Sequence, residues 1–279
     1  MTEARPWGAG AIVDLTLLLA EELPCTWPGH MPYQQKTFSF FEAGGTDEAH
    51  LVSPCGDYQT RWLLVDEHTG THIDAPAHFI PRTATGLPDA GAAGSVTVEQ
   101  IPLSQTMGPA VVIDVTDLTE LPVAAGESPL IEKHHITAFE AKNGPLLPGD
   151  IVLFRSNWDK TRYVEGAAGR SYAHNPLLLK QGAGWPAPSG EAMNYLIDRG
   201  IRCVGTDGAS MGSSHAGRDV HIVGLGNGVV FIEALANLGL VPVRGAYFIF
   251  APLKVARGTG APGRALAILP LGVLPGEVG

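Results

Sequence analysis

The sequence predicts a single α/β domain, with a mixed β-sheet core flanked by helices, and three observations predict it. The chain has 279 residues, 45% of them hydrophobic and only 16% charged, a balance that suits a packed core rather than a disordered segment. Its 35 glycines and 22 prolines break the chain into short apolar runs, as a fold with many short connections requires. Helical periodicity is confined to a few stretches between those runs. No internal repeat and no composition shift divides the chain, so one domain over residues 1–279 is the expectation.

The elements follow in order. Residues 110–115 (AVVIDV) and 151–154 (IVLF) are apolar, rich in β-branched side chains and bounded by turn residues, and they read as strands. Residues 201–204 (IRCV), 247–250 (YFIF) and 266–269 (LAIL) read the same way. A helix is predicted over 131–142, with Ile136 and Phe139 inward and Asn143-Gly144-Pro145 as its stop. A second opens at Pro188-Ser189, with Ser189 as N-cap, Met193, Leu196 and Ile197 on one face and Gly200 ending it. A third is predicted over 230–238. Residues 161–188 have few periodic apolar positions and read as a long loop able to cover a site.

Charge and cysteine content exclude several function classes. The net charge is −10 with no basic run, so nucleic acid is not an expected partner. Cys25, Cys55 and Cys203 are too few and too scattered for a disulfide framework or a cysteine-rich zinc site. The opening residues carry an acid at Glu3, and Asp14 interrupts the first apolar stretch, so no signal peptide is expected. No window holds the roughly 18 apolar residues of a membrane span. A cytoplasmic protein without membrane partners is the expectation.

The chemistry concentrates in one segment. Three of the ten histidines lie in His68-Thr69-Gly70-Thr71-His72-Ile73-Asp74-Ala75-Pro76-Ala77-His78. His68, His72, Asp74 and His78 are all even-numbered, so an extended chain projects them to one face. As a helix the pattern fails, because Asp74 would turn away and Gly70, Thr71 and Pro76 disfavour helix. Residues four apart in a straight strand are ~13 Å apart, too far for two imidazoles to share one ion, and Gly70 is the residue able to bend between them. The spacing suggests two histidines and one carboxylate on a divalent ion, with positions left open for water and substrate. His78, beyond Pro76, is placed at the rim as a general base.

Competing readings are weaker. Gly208-Ala209-Ser210-Met211-Gly212 fits the G-x-S-x-G elbow of serine hydrolases, but the residues after it are too rich in Gly and Ser for the required helix. The only histidines downstream, His215 and His221, stand too near for the usual triad. Gly224–Gly228 imitates a nucleotide loop but has Val229 where the third glycine belongs. His134-His135 reads as polar helix surface, and Cys203 as strand packing. Glu233 sits in an apolar stretch and needs a cation there, either a metal or a salt bridge to Arg244 or Lys254. A metal-binding protein without catalysis is the alternative class. It is disfavoured because a closed structural site gains nothing from a base at its rim.

The segment HTGTHIDAPAHF, His68 to Phe79, resembles the signature of the cyclase family of metal-dependent hydrolases, which includes bacterial kynurenine formamidases and isatin hydrolases. Gly205-Thr206-Asp207-Gly208-Ala209-Ser210 resembles that family's Gly-x-Asp-x-x-Ser segment, and His221 with Glu233 resembles its later His and Glu pair. Together these cover roughly residues 10–270. The resemblance implies a swivelling β/β/α fold. It implies His68, His72, Asp74, His221 and Glu233 as ligands of zinc or manganese, and His78 as the catalytic histidine. It also implies a homodimer or homotetramer. The length of the chain and the run Trp185–Ser189 look more like the isatin hydrolase branch, whose substrate is a small aromatic ring amide; an N-formyl amide is the runner-up. Phe38, Phe41, Trp62 and Trp185, from a wider set with Phe40 and Trp158, are the expected lining for a flat substrate.

Overall fold

The computed structural model describes residues 10–39 and 58–276. Its first strands are β1 (Ile12–Asp14), β2 (Gln34–Ser39), β3 (Thr60–Leu64), β4 (His72–Asp74) and β5 (Met107–Asp114). A short β6 (Leu130–Ile131) leads into helix α1 (Lys133–Asn143) and strand β7 (Ile151–Arg155), followed by helical turns α2 (Trp158–Arg162) and α3 (Gly166–Gly169). Then come β8 (Ala187–Pro188), α4 (Gly190–Asp198), β9 (Cys203–Thr206), α5 (Gly217–Gly226), β10 (Val230–Glu233), β11 (Tyr247–Pro252) and β12 (Gly260–Ile268).

Eight strands form one mixed sheet in the order β1-β12-β11-β5-β7-β9-β10-β4, and β12 pairs again with β4. The second pairing closes the sheet: Leu266–Ile268 of β12 lies beside β1, while Gly260–Pro262 of the same strand lies beside β4. The expected mixed sheet is therefore a closed, barrel-like one. Closure removes edges that would otherwise expose unpaired backbone.

Strand alternation sorts the apolar side chains into two cores. Ile73, Ala110, Val112, Ile151, Leu153, Cys203, Val230, Ile232, Phe248, Phe250, Ala265 and Ala267 fill the inside of the ring. Val111, Ile113, Val152, Phe154, Val204 and Phe231 face outward against Ile136, Phe139, Met193, Leu196, Val220 and Leu225 of the helices. Strands buried on both faces lose the apolar–polar alternation, which is why 110–115 and 151–154 read as continuous runs. Cys25 and Cys203 are buried free thiols.

The strands expected at 110–115, 151–154 and 247–250 are present, and 201–204 and 266–269 overlap β9 and β12. Both capped helices form as expected. Ser189 Oγ accepts the Ala192 N–H at the start of α4, and α1 ends at Gly144. The helix predicted over 230–238 is wrong: its first half is β10. The run Val229-Val230-Phe231-Ile232 is β-branched and aromatic, and β10 is flanked on both sides by strands that pair with it, and those partners override a short apolar pattern. The helix that packs there is α5, whose glycines hid it. A Cβ on Gly224 would meet Phe231 Cζ at 2.3 Å, so this glycine permits close packing of helix on strand. Residues 161–188 are not a bare loop but carry short helical turns, among them Asn175–Leu179. Among the described residues no helix is long and apolar enough to cross a membrane.

Gly70 makes the bend that the histidine spacing demands. It has φ +59°, its N–H donates to Cys25 O at 2.6 Å, and a Cβ there would meet Leu19 Cδ2 at 2.3 Å. Gly70→Ala is therefore expected to lose at least about 1–2 kcal/mol of unfolding free energy, from left-handed backbone plus the clash. Adding Leu19→Ala should return only the clash component. Denaturant unfolding of the single and double variants measures both, and an unchanged midpoint in Gly70→Ala would refute the assignment.

Candidate metal centre and active-site cavity

Backbone register brings the first residues of the site together. β4 and β10 pair antiparallel with His72 opposite Glu233 and Asp74 opposite Phe231. Ile73 and Ile232 point into the inner core, so His72, Asp74 and Glu233 share the outer face. Helix α5 crosses that face and brings His221. His68 arrives before the Gly70 bend, and His78 follows β4 on a helical turn that Pro76 opens.

Four imidazoles surround two buried carboxylates. His68 Nδ1 lies 2.9 Å from Asp74 Oδ1, and His72 Nε2 lies 3.5 Å from both Asp74 Oδ1 and Glu233 Oε2. His221 Nε2 is 3.6 Å from Asp74 Oδ2 and 3.4 Å from Glu233 Oε1, and His78 Nε2 is 3.9 Å from Asp74 Oδ2. His78 is the most open of the four, with its side chain 24% exposed against 10% for His68 and 4–5% for His72 and His221. The rim position expected of it is the one it occupies.

The outer hydrogen bonds fix two tautomers. His72 Nδ1 donates to Gly70 O at 2.8 Å, and His221 Nδ1 donates to Gly217 O at 2.6 Å. A carbonyl only accepts, so each ring turns an Nε2 lone pair, or a second proton, toward the carboxylates. Glu233 Oε1 also accepts the Met211 N–H at 2.6 Å and the Ser210 hydroxyl at 3.1 Å.

The electrostatics show how much these groups need positive charge. Burial disfavours the charged ring of His72, but Asp74 and Glu233 outweigh it and push its pKa up to about 10. The same balance raises His221 to about 10. Burial and Asp74 both oppose ionisation of Glu233, yet His221 and His72 bring it down to about 2. Asp74 is likewise held well below the carboxylate range despite burial, by His78, His68 and His221. His78 moves the other way: burial lowers it, beyond what Asp74 restores.

These residues fit a divalent cation. Donor atoms of His68, Asp74 and His78 lie within 4.8 Å of one another, as do those of His72, Asp74 and Glu233. Asp74 Oδ1 is buried and makes no hydrogen bond, although an imidazole nitrogen stands 2.9 Å away. Most separations in the cluster are too long for hydrogen bonds, but they match the spacing of about 3.4 Å between donors that share one ion tetrahedrally at ~2.1 Å. Neither Arg244 nor Lys254 pairs with Glu233: Arg244 is engaged with Asp150 and the carbonyls of Asn143, Gly144 and Pro145.

The donor atoms floor a cavity of about 470 Å³, walled by Trp27, His30, Phe79, Leu177, His215 and Arg218 among others. Phe79 stacks on His221 with ring centroids 4.2 Å apart. The aromatic lining differs from the expected one. Phe38 and Trp62 stand half-exposed on the β2–β3 hairpin and do not line the cavity. Trp185 is fully buried behind the wall, edge-on to Trp27, with its indole N–H donating to Gly212 O at 2.9 Å. Phe41 lies outside the described residues. Trp27 and His30 belong to an aperiodic turn that carries no signal in the sequence; Phe79 was adjacent to the histidine motif. Leu177 shows that residues 161–188 do reach the site.

The serine reading fails on geometry. Ser210 lies in an irregular segment and hydrogen-bonds to Glu233 and to the Gly212 N–H, with no imidazole partner. His215 Nδ1 accepts from the Ser128 N–H instead. Asp207 sits away from the cavity, where its carboxylate accepts the Ser156 and Asn157 N–H groups and secures the turn after β7.

Comparisons with known proteins agree with this geometry. Isatin hydrolase from Roseibium aggregatum is 33% identical over 214 residues, which cover 75% of this chain and 74% of that protein. A kynurenine formamidase from Paracidovorax citrulli is 26% identical over 245 residues, covering 88% and 90%. Among solved structures, isatin hydrolase A from Labrenzia aggregata, bound to benzyl benzoate, superposes with a TM-score of 0.72 at 28% identity, covering 93% of this chain and 94% of that one. An isatin hydrolase bound to the product analogue thioisatinate superposes at 0.70 with 25% identity, covering 93% and 92%. The profile of the Cyclase family matches residues 13–213, a span that holds the histidine motif, β4 and the Gly-x-Asp-x-x-Ser segment. With that match, and with the distant His221 and Glu233 folded onto the same buried carboxylate, the chain belongs to the Cyclase family.

Proposed function

We propose that this protein is a metal-dependent hydrolase that opens the ring amide of an isatin-like lactam. The observation that carries the reading is the cluster of donors around Asp74 at the floor of an apolar-walled cavity, with a more exposed imidazole, His78, at its rim. A structural ion would be closed off on all sides, whereas this cluster opens on a space large enough for a small aromatic molecule. Similarity to isatin hydrolases favours a ring amide.

His68, His72, Asp74, His221 and Glu233 would hold the cation, and imidazole with carboxylate suits manganese or zinc. The cation would supply Lewis-acid polarisation of the amide carbonyl and would lower the pKa of water. His78, kept uncharged by burial, takes the proton of the attacking water. As oxygen bonds to the carbonyl carbon the C–N bond breaks, and His78 returns the proton to the leaving nitrogen. The products are an amine and a carboxylic acid, which ionises to the carboxylate by releasing the second proton of the water to solvent. Trp27, Phe79 and Leu177 hold the aromatic ring and exclude bulk water.

A second reading, hydrolysis of an N-formyl amide such as N-formylkynurenine, is favoured by one observation. The two donor sets share Asp74, as the ligands of a two-ion site would. Metal analysis distinguishes the readings, one ion per chain supporting the lactam and two supporting the formamide.

His72→Ala should lose most bound metal and all turnover of isatin. His78→Ala should keep its metal and lose about 10²-fold or more in kcat. Isatin ring opening followed by absorbance, with metal content measured on the same samples, tests both. Wild-type metal content in His72→Ala would sink the ligand assignment, and metal loss in His78→Ala would make that residue a ligand.

Metal removal should have a pH-dependent effect on stability. Without metal, His72 and His221 titrate at about 10 in the folded chain, against about 6.5 when unfolded. Their stabilisation is whole below pH 6.5 and is lost as the pH rises through about 10. Chelator-treated protein should therefore lose thermal stability across that window, and the gap in Tm from metal-loaded protein should widen from pH 6 to pH 9. A gap that stays constant or narrows would count against the cluster as the metal site.

A further inference from the structure

We propose that His30, oriented by Asp66, reads the amide N–H of the substrate and selects unsubstituted over N-alkylated amides; this rests on the reading of the cavity as an amide hydrolase site. His30 closes a tight turn in which its N–H donates to Trp27 O at 3.0 Å and Gly29 takes φ +94°. That turn sets Trp27 and His30 side by side on the cavity wall.

Asp66 fixes the ring. Its Oδ1 lies 3.1 Å from His30 Nδ1 and also accepts the His68 N–H at 2.9 Å. The carboxylate oxygen accepts, so Nδ1 is the donor of that bond, and in the tautomer that carries its single proton there Nε2 keeps a lone pair. No residue of the described chain hydrogen-bonds to that Nε2.

The other polar groups on the wall each have a partner within the protein. Ser213 Oγ accepts from the Ala216 N–H, Ser214 Oγ donates to Gly126 O, and Arg218 is ion-paired with Asp89. His215 has the opposite polarity, since its Nδ1 accepts from the Ser128 N–H and leaves a donor on Nε2. His30 is thus the wall imidazole with an acceptor to spare. Its ring centroid is 6.0 Å from that of His68. An amide nitrogen is only about 1.3 Å from the carbonyl carbon, so a substrate whose carbonyl reaches the donor cluster places its N–H on the side of a neighbouring wall group. A lone pair there accepts that proton; an N-methyl group offers it nothing.

The test compares isatin with N-methylisatin on metal-loaded wild type, His30→Ala and His30→Gln. Wild type should prefer isatin by about tenfold in kcat/KM, the worth of one hydrogen bond. His30→Ala should lose about tenfold on isatin and nothing on N-methylisatin, abolishing the preference, and His30→Gln, which keeps an acceptor oxygen, should restore part of it. Equal losses on both substrates would mean a structural role and overturn the proposal. So would unchanged isatin turnover with faster N-methylisatin turnover in His30→Ala, which is relief of a clash. If wild type opens no isatin but cleaves formanilide, the lactam reading fails while the pair formanilide and N-methylformanilide puts His30 to the same test. Turnover of neither pair overturns both.

Discussion

Two carboxylates, Asp74 and Glu233, are buried side by side on the outer face of a closed sheet, and much of the molecule is arranged around that fact. Burying an ionised carboxylate costs several kcal/mol unless opposite charge and hydrogen bonds compensate. Here the compensation comes from imidazoles contributed by the approach to β4, by β4 itself, by the turn after it and by α5. None of these is a fixed cation such as Arg or Lys. A site neutralised only by titratable rings can exchange protons for a metal ion, which a site neutralised by arginine cannot do.

The rest of the fold serves to hold those groups in place. Sheet closure puts β4 between β10 and β12, so the strand that carries His72 and Asp74 is paired on both sides. A Cβ on Gly260 would meet His68 Cε1 at 2.6 Å, so the backbone of β12 forms a wall against that ring. The small residues Ala261, Ala265 and Ala267 line the inner side of the same strand. His72, Asp74, His221 and Glu233 therefore stand on strands or on the closely packed helix α5, while Trp27, His30 and Leu177 of the wall come from turns. This division puts most of the donors on rigid elements and the cavity wall largely on segments that vary more freely.

The two histidines on the wall differ in polarity because their outer contacts differ. His30 and His215 carry the same ring, but Asp66 holds Nδ1 of one as a donor while the Ser128 N–H holds Nδ1 of the other as an acceptor, so their Nε2 atoms have opposite polarity. An isatin-like lactam has both an N–H and carbonyl oxygens. A wall that carries imidazoles of both polarities is complementary to that pattern.

What the sequence determined by itself was local. His68, His72, Asp74 and His78 could be assigned to one face because extended backbone has a period of two, and Gly70 to a bend because only glycine takes φ +59° without strain. Helices α1 and α4 were legible from their caps, which act within one turn. Tertiary structure decided the rest. Residues 230–233 became a strand because β4 and β9 were there to pair with them, and that pairing placed Glu233 opposite His72. Helix α5 was illegible because the glycine that lets it pack on Phe231 also weakens its helical signal. Trp185 and Trp27 are both tryptophans near the site, yet one is core and the other wall. Spacing along the chain carries no information about which side of a packed layer a side chain will face, because that is set by contacts between segments distant in sequence.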